Sequence, residues 1–151
     1  MRRAALPTGA GDICNDDVSA AAIVVCFAYP EDRFKDKPTF MGAAFFVGMV
    51  DQPEKACLQG SSDWDVESVR NTRIHGITFR VFHASEWAAN HGRNQFFYRV
   101  YHGARCYELG TQMGSASPGV FDPDIRKFTR QDWNGVHGSL NQIVRSFRFL
   151  R

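Results

Sequence analysis

The chain has no uninterrupted apolar run of the roughly 18–20 residues that a membrane-spanning helix needs. Its two most apolar stretches, Ala20–Tyr29 and Met41–Val50, are ten residues each, and Gly42 and Gly48 interrupt the second. No integral membrane span is expected, and both stretches read as buried strands. An excess of one charge is also missing: 18 Lys and Arg face 16 Asp and Glu, a net charge of +2. Nucleic-acid binding needs clustered cations to displace counterions from phosphates, so no nucleic-acid partner is expected. The four cysteines, Cys14, Cys26, Cys57 and Cys106, contain no C-x-x-C pair, which removes the zinc ribbon and the thioredoxin-type redox site. G-x-S-x-G, P-loop, G-x-G-x-x-G and H-E-x-x-H motifs are all absent, so no local spacing indicates a catalytic chemistry, and no cofactor is expected. The start, Met1 to Pro7, is basic but has no apolar stretch behind it. It is not a complete signal peptide. The expected location is periplasmic or secreted if an export signal is missing from this reading of the gene, and otherwise cytoplasmic.

What the chain does hold is apolar and aromatic bulk. At 151 residues, with 44% hydrophobic residues, 13 Phe, 4 Tyr and 3 Trp, it suits one domain with a sizeable core. Residues 1–12, rich in Ala, Gly and Pro and without periodicity, are expected to form a disordered arm, and residues 13–151 a single α+β domain. Strands are expected at Ala21–Tyr29 and Thr39–Val50, with a charged, proline-bracketed loop between them. Asp51–Ser62 reads as a short helix or loop carrying Cys57, and Asp63–Val69 fits neither pattern. Ile77, Phe79 and Val81 then alternate with Thr78 and Arg80, as period-two geometry demands. A polar stretch at Asn90–Asn94 leads to a strand at Phe96–His102. A tight turn at His102-Gly103-Ala104 joins that strand to Arg105–Met113 as a β-hairpin. Residues 114–128 read as a long loop. Thr129, with Asp132 three residues on, opens a helix as cap and capping-box carboxylate. Trp133, Val136, Leu140, Ile143, Val144 and Phe147 form its apolar stripe, and Phe149 and Leu150 suit a short final strand. The fold class is therefore α+β, an antiparallel sheet packed by a C-terminal amphipathic helix.

Several constellations bear on function. His75 and His83 share strand parity but lie roughly 26 Å apart along an extended strand, too far for one metal ion. The carboxylates at Asp16-Asp17, Glu31-Asp32 and Asp122/Asp124 sit in loops, where adjacent acids favour turns, and supply too few oxygens for calcium. On the aromatic hairpin Phe97, Arg99 and Tyr101 share one strand face, a composition typical of interaction surfaces. The cysteine count allows two disulfides in three connectivities, or buried free thiols.

The runs Cys26-Phe27-Ala28-Tyr29-Pro30, Phe40-Met41-Gly42-Ala43-Ala44-Phe45 and Phe97-Tyr98-Arg99-Val100-Tyr101-His102, with Leu140-Asn141-Gln142-Ile143 closing on Ser146-Phe147-Arg148-Phe149, resemble a group of small uncharacterised secreted bacterial proteins. The helix running into Ser-Phe-x-Phe also resembles the end of PsbP-like domains. That resemblance implies an antiparallel sheet packed between helices, with roles in binding or assembly. For an exported chain the expected bridges are Cys57–Cys106 and Cys14–Cys26. The expected function is a small extracytoplasmic binding or assembly module for a protein or small-molecule ligand, with Phe97, Arg99 and Tyr101 as its surface. Two alternatives stand beside it: a small hydrolase or metal-dependent enzyme with a site near His83, His91 and His102, and a cytoplasmic anion-binding protein using Arg126, Arg130, Arg145, Arg148 and Arg151.

Overall fold

The computed structural model describes Cys14 and residues 21–62, 65–88, 90–117, 119 and 124–150. The expected arm at 1–12 lies outside them. Six strands form one antiparallel sheet: β1 (Ala22–Ala28), β2 (Phe40–Val50), β3 (Val66–Ile74), β4 (Ile77–Ala88), β5 (His91–His102) and β6 (Arg105–Ala116). A 3-10 turn (Glu31–Phe34) precedes β2, helix α1 (Glu54–Gln59) follows it, and helix α2 (Arg130–Ser146) closes the described chain. The spatial order is β1-β2-β6-β5-β4-β3. After the β1–β2 pair the chain crosses to the far edge, and the meander β3 to β6 returns to lie beside β2. The α+β class read from the sequence is the observed one.

The two faces are built differently. On one, Phe45, Phe79, Val81, Tyr98, Val100 and Leu109 are buried against Val136, Leu140 and Val144 of α2. This is the packing of a period-two face against a period-3.6 stripe that the sequence implies. Thr129 caps α2 through a complete capping box: its hydroxyl accepts from the Asp132 amide at 3.2 Å, and its own amide donates to the Asp132 carboxylate at 2.8 Å. On the other face Phe46, Phe82, Ala84 and Phe97 form a second cluster, and Val50, Cys57 and Cys106 a third, with α1 packed across β5 and β6. The sheet is thus buried on both faces at its centre, which is why β2 reads as a continuous apolar run.

Two disulfides are formed, Cys57–Cys106 and Cys14–Cys26. The first ties α1 to β6 and the second ties Cys14 to β1. They are the pairings expected of an exported chain, and all four cysteines are consumed.

The structure departs from the sequence reading at four elements. Val66–Ile74 is a strand that the sequence did not reveal: β3 is the sheet edge and only Ile74 is buried, so apolar alternation has nothing to act on. Strand β5 begins at His91 rather than Phe96, because the polar stretch finds ladder partners on both sides, in Glu86–Ala88 and in Gly114–Ala116. For the same reason β6 runs on through Ala116. Phe149 and Leu150 form no strand. Phe149 instead lies against the rings of His102, Tyr107 and Phe147 at 4.3, 4.9 and 5.0 Å. The β3–β4 turn at His75-Gly76 and the β5–β6 turn at Gly103-Ala104 each place two successive residues at positive φ, the geometry a two-residue hairpin needs.

Candidate functional site

The face expected to be an open recognition surface is covered. Phe97 is packed into the second cluster and Arg99 is fully buried, while Tyr101 is half-buried against the Cys57–Cys106 bridge. Arg99 Nε donates to Glu108 Oε2 at 2.7 Å, with both side chains inaccessible to solvent, and a terminal nitrogen donates to Gln52 Oε1 at 3.2 Å. Arg99 and Glu108 are direct cross-strand partners. The guanidinium therefore serves an interior ion pair, and Phe97, Arg99 and Tyr101 do not form an open surface.

The histidines of the enzyme alternative do not converge. His83 lies opposite Phe96, whereas His91 and His102 stand at the two ends of β5, about 36 Å apart at strand rise. His102 is stacked on Phe149. His83 Nδ1 lies 3.2 Å from Glu67 Oε2 and Nε2 lies 3.0 Å from Asn94 Nδ2, while the Ser85 hydroxyl also bonds Glu67. With Nδ1–H donating and Nε2 accepting, both ring nitrogens are occupied, and the ring pins edge strand β3 to β4 and β5. Among the described residues no three His, Cys, Asp or Glu side chains are grouped to hold a metal ion. Of the arginines in the anion-binding alternative, Arg126 pairs with Asp36 at 3.1 Å, Arg130 and Arg148 are exposed, and Arg151 lies outside the described residues. Arg145 lines a cavity beside β3 and Arg130 a different one near Trp133, so the arginines of this set do not share a cavity.

A different arrangement emerges on the α2 face. The helix lies mainly over β2 and β6, which leaves the strip toward β3 beside it. Trp133, His137, Asn141 and Arg145 recur every four residues and so line one edge of the helix, about 18 Å from first to last. Beneath them the same-face residues of β5 run in parallel: Gly92 and Asn94 with Trp133, Phe96 with His137 at 5.2 Å between ring centres, and Tyr98 with Asn141, hydroxyl to Oδ1, at 3.3 Å.

Each end of this line opens into a cavity. Near Trp133 two adjoining cavities of about 320 and 280 Å³ share Trp87 and Ser115. Trp87 is two-thirds exposed, and its indole covers Gly92, where any Cβ would meet the ring at 2.7 Å. The glycine lets the ring lie flat on the strand, at the expense of strand propensity. At the opposite end a cavity of about 450 Å³ is lined by Arg70, Thr72, Arg73, Tyr98, Asn141 and Arg145 among others, and no carboxylate is among the described residues of its wall. His75, at the tip of the β3–β4 hairpin, bonds the Arg145 carbonyl at 2.8 Å and holds the hairpin against the helix end.

The electrostatics follow from this layout. Burial pushes the Tyr98 hydroxyl pKa up, and the positive charges of Arg70 and Arg145 oppose that rise. His137 is pushed below its ordinary value, first by burial and then by Arg70 and His83. Arg70 thus acts on two groups of the groove at once. Sequence reasoning missed it because Arg70 and Arg73 sit on an edge strand without apolar alternation; charge on an otherwise unassigned β-like segment was the available signal. Among the described residues no helix is long and apolar enough to cross a membrane. No protein-family model and no curated protein matches the chain, so no site residue is carried over from a relative.

Proposed function

We propose that this domain is a small extracytoplasmic binding or assembly module whose ligand lies in the groove between α2 and strands β3 to β5. The observation that carries the reading is the alignment of cavities at the two ends of one line, with helix positions Trp133, His137, Asn141 and Arg145 above and Gly92, Asn94, Phe96 and Tyr98 below. An aromatic end, a polar middle and a cationic end on rigid elements suit recognition of an extended ligand. The two disulfides support an oxidising compartment, where such bonds persist. Against catalysis at His83 stands its engagement at both ring nitrogens, by Glu67 and by Asn94.

Amide NMR of the oxidised protein, titrated with a mixed library of cationic, neutral and anionic small molecules and short peptides, tests the reading. Binders are expected to move resonances of 70–74, 92–98 and 133–145. Binders that perturb only the α1 face, or turnover of any ester, amide or phosphodiester in the library, would overturn it.

A further inference from the structure

The arginine-lined end of the groove has a composition that specifies its ligand further. Arg70 and Arg145 bring two guanidiniums to one cleft that has no acid among its described lining residues, and neither forms an ion pair among the described residues. At the rim Arg73 donates its Nε to the Gly76 carbonyl at 3.2 Å, within a turn that is itself held by His75. Behind the cations the buried Tyr98 directs its hydroxyl to Asn141, which leaves the Asn141 amide nitrogen and the Thr72 hydroxyl as neutral donors. The C-terminal carbonyls of α2 would repel an anion, but they are engaged. Ile143 accepts from the Ser146 hydroxyl, Val144 from the Phe147 amide and Arg145 from His75.

We propose that this cleft is an oxyanion site that holds the phosphoryl group of an organic phosphate, with the rest of the ligand extending along α2 toward Trp133. The inference rests on the groove being the ligand seat. A singly charged carboxylate would leave one guanidinium uncompensated. A phosphoryl group, with a charge near −2 and three acceptor oxygens, matches two arginine forks and still has an oxygen for a neutral donor. The volume also argues for more than an inorganic ion. A cavity of about 450 Å³ is many times the ~30 Å³ share of one water and lies in the range of small-molecule sites.

Calorimetric titration of the full oxidised protein with inorganic phosphate, acetate, glucose 6-phosphate and glucose provides the test. Phosphate and the sugar phosphate are expected to compete for one site, the sugar phosphate binding more tightly, and acetate at least about tenfold more weakly. Arg70→Gln and Arg145→Gln should each weaken phosphate about tenfold, equivalent to about 1.4 kcal/mol, with unchanged melting temperature because both side chains are exposed. Arg148→Gln, near the same end of the chain but outside the cleft, should bind like the native protein. An equal loss in Arg148→Gln would reduce the site to general charge attraction and overturn the proposal. So would acetate binding as well as phosphate, or no saturation by about 10 mM phosphate. If phosphate fails while other ligands still shift 92–98 and 133–141, the oxyanion assignment falls and the groove reading survives. If phosphate binds at Arg70 and Arg145 but no ligand ever reaches Trp133, the oxyanion site stands and the wider groove reading falls.

Discussion

The buried Arg99–Glu108 pair offers the sharpest check on the covered face. Both side chains are inaccessible to solvent, their contact is 2.7 Å, and Gln52 supplies a further acceptor to the guanidinium. Arg99→Met keeps the aliphatic volume but takes the guanidinium away from a carboxylate that stays in the interior. Removing one partner of such a pair costs about 3–5 kcal/mol, because the remaining charge has lost its compensation. For a domain of this length each kcal/mol lowers the melting temperature by roughly 2–4 °C, so a fall of about 6–20 °C is expected. Glu108→Leu alone should cost a similar amount. The double variant Arg99→Met/Glu108→Leu removes both charges, and such replacements are often neutral or stabilising. It should recover most of the loss, far short of additivity. Urea denaturation of the native protein, both single variants and the double variant closes the cycle. If Arg99→Met stays within about 1 kcal/mol of the native protein, or the double variant shows the sum of the two losses, then the pair is open to water and the covered face is wrong.

Three further outcomes follow from the packing and the charges. Gly110→Ala would drive a methyl group into the buried Phe46 ring, an overpacking worth about 1–3 kcal/mol; Phe46→Leu in the same chain should relieve it, and denaturation midpoints report both. Replacing Cys57 and Cys106 by serine opens a loop of 49 residues' separation, for a loss of about 4 kcal/mol in the chain-entropy treatment, readable as a lower melting temperature without reductant. His137 is depressed below 6.5 by burial, Arg70 and His83. The unfolded chain therefore takes up the proton first. The stability this histidine contributes is complete above pH 6.5 and is lost as pH falls through its folded value. His137→Asn should flatten the slope of denaturation midpoint against pH below 6.5, and an unchanged slope would refute the assignment.

The parts of the fold legible in the sequence are those where one pattern meets one environment. Ile77, Phe79 and Val81 alternate because one side of β4 packs under α2, and Val136, Leu140 and Val144 recur at helical spacing because they cover it. Thr129 and Asp132 mark the helix start through bonds made within four residues. By contrast, β3 is held by its ladder to β4 and by the Glu67–His83 contact, cross-strand contacts that leave no periodic mark within β3 itself. The groove was illegible for the same reason. Arg70, Tyr98 and Arg145 come from an edge strand, a central strand and the last turn of a helix, and no spacing in the sequence relates them. Their meeting depends on β5 and α2 running side by side, which the Tyr98–Asn141 contact records.

The covered face, however, was implicit in two sequence expectations that cannot both hold. A two-residue turn at Gly103-Ala104 sets Tyr101 opposite Cys106 and Arg99 opposite Glu108, and directly opposed residues of an antiparallel pair point to the same side. A bridge from Cys57 to Cys106 therefore brings the chain around Cys57 onto the side that carries Tyr101 and Arg99. An open Phe97–Arg99–Tyr101 surface requires that side to be bare. With the bridge formed, α1 must lie on that face, and Arg99 then needs a buried carboxylate at hydrogen-bonding distance, because an interior guanidinium without one is too costly. Glu108, the residue directly opposite, meets that need at 2.7 Å. Glu108 at that register position is thus a sequence signature of a covered face: an acid paired across the ladder with a strand arginine, next to a cysteine that tethers a helix. On the α2 side Arg70 and Arg145 have no such carboxylate beside them among the described residues of the cleft.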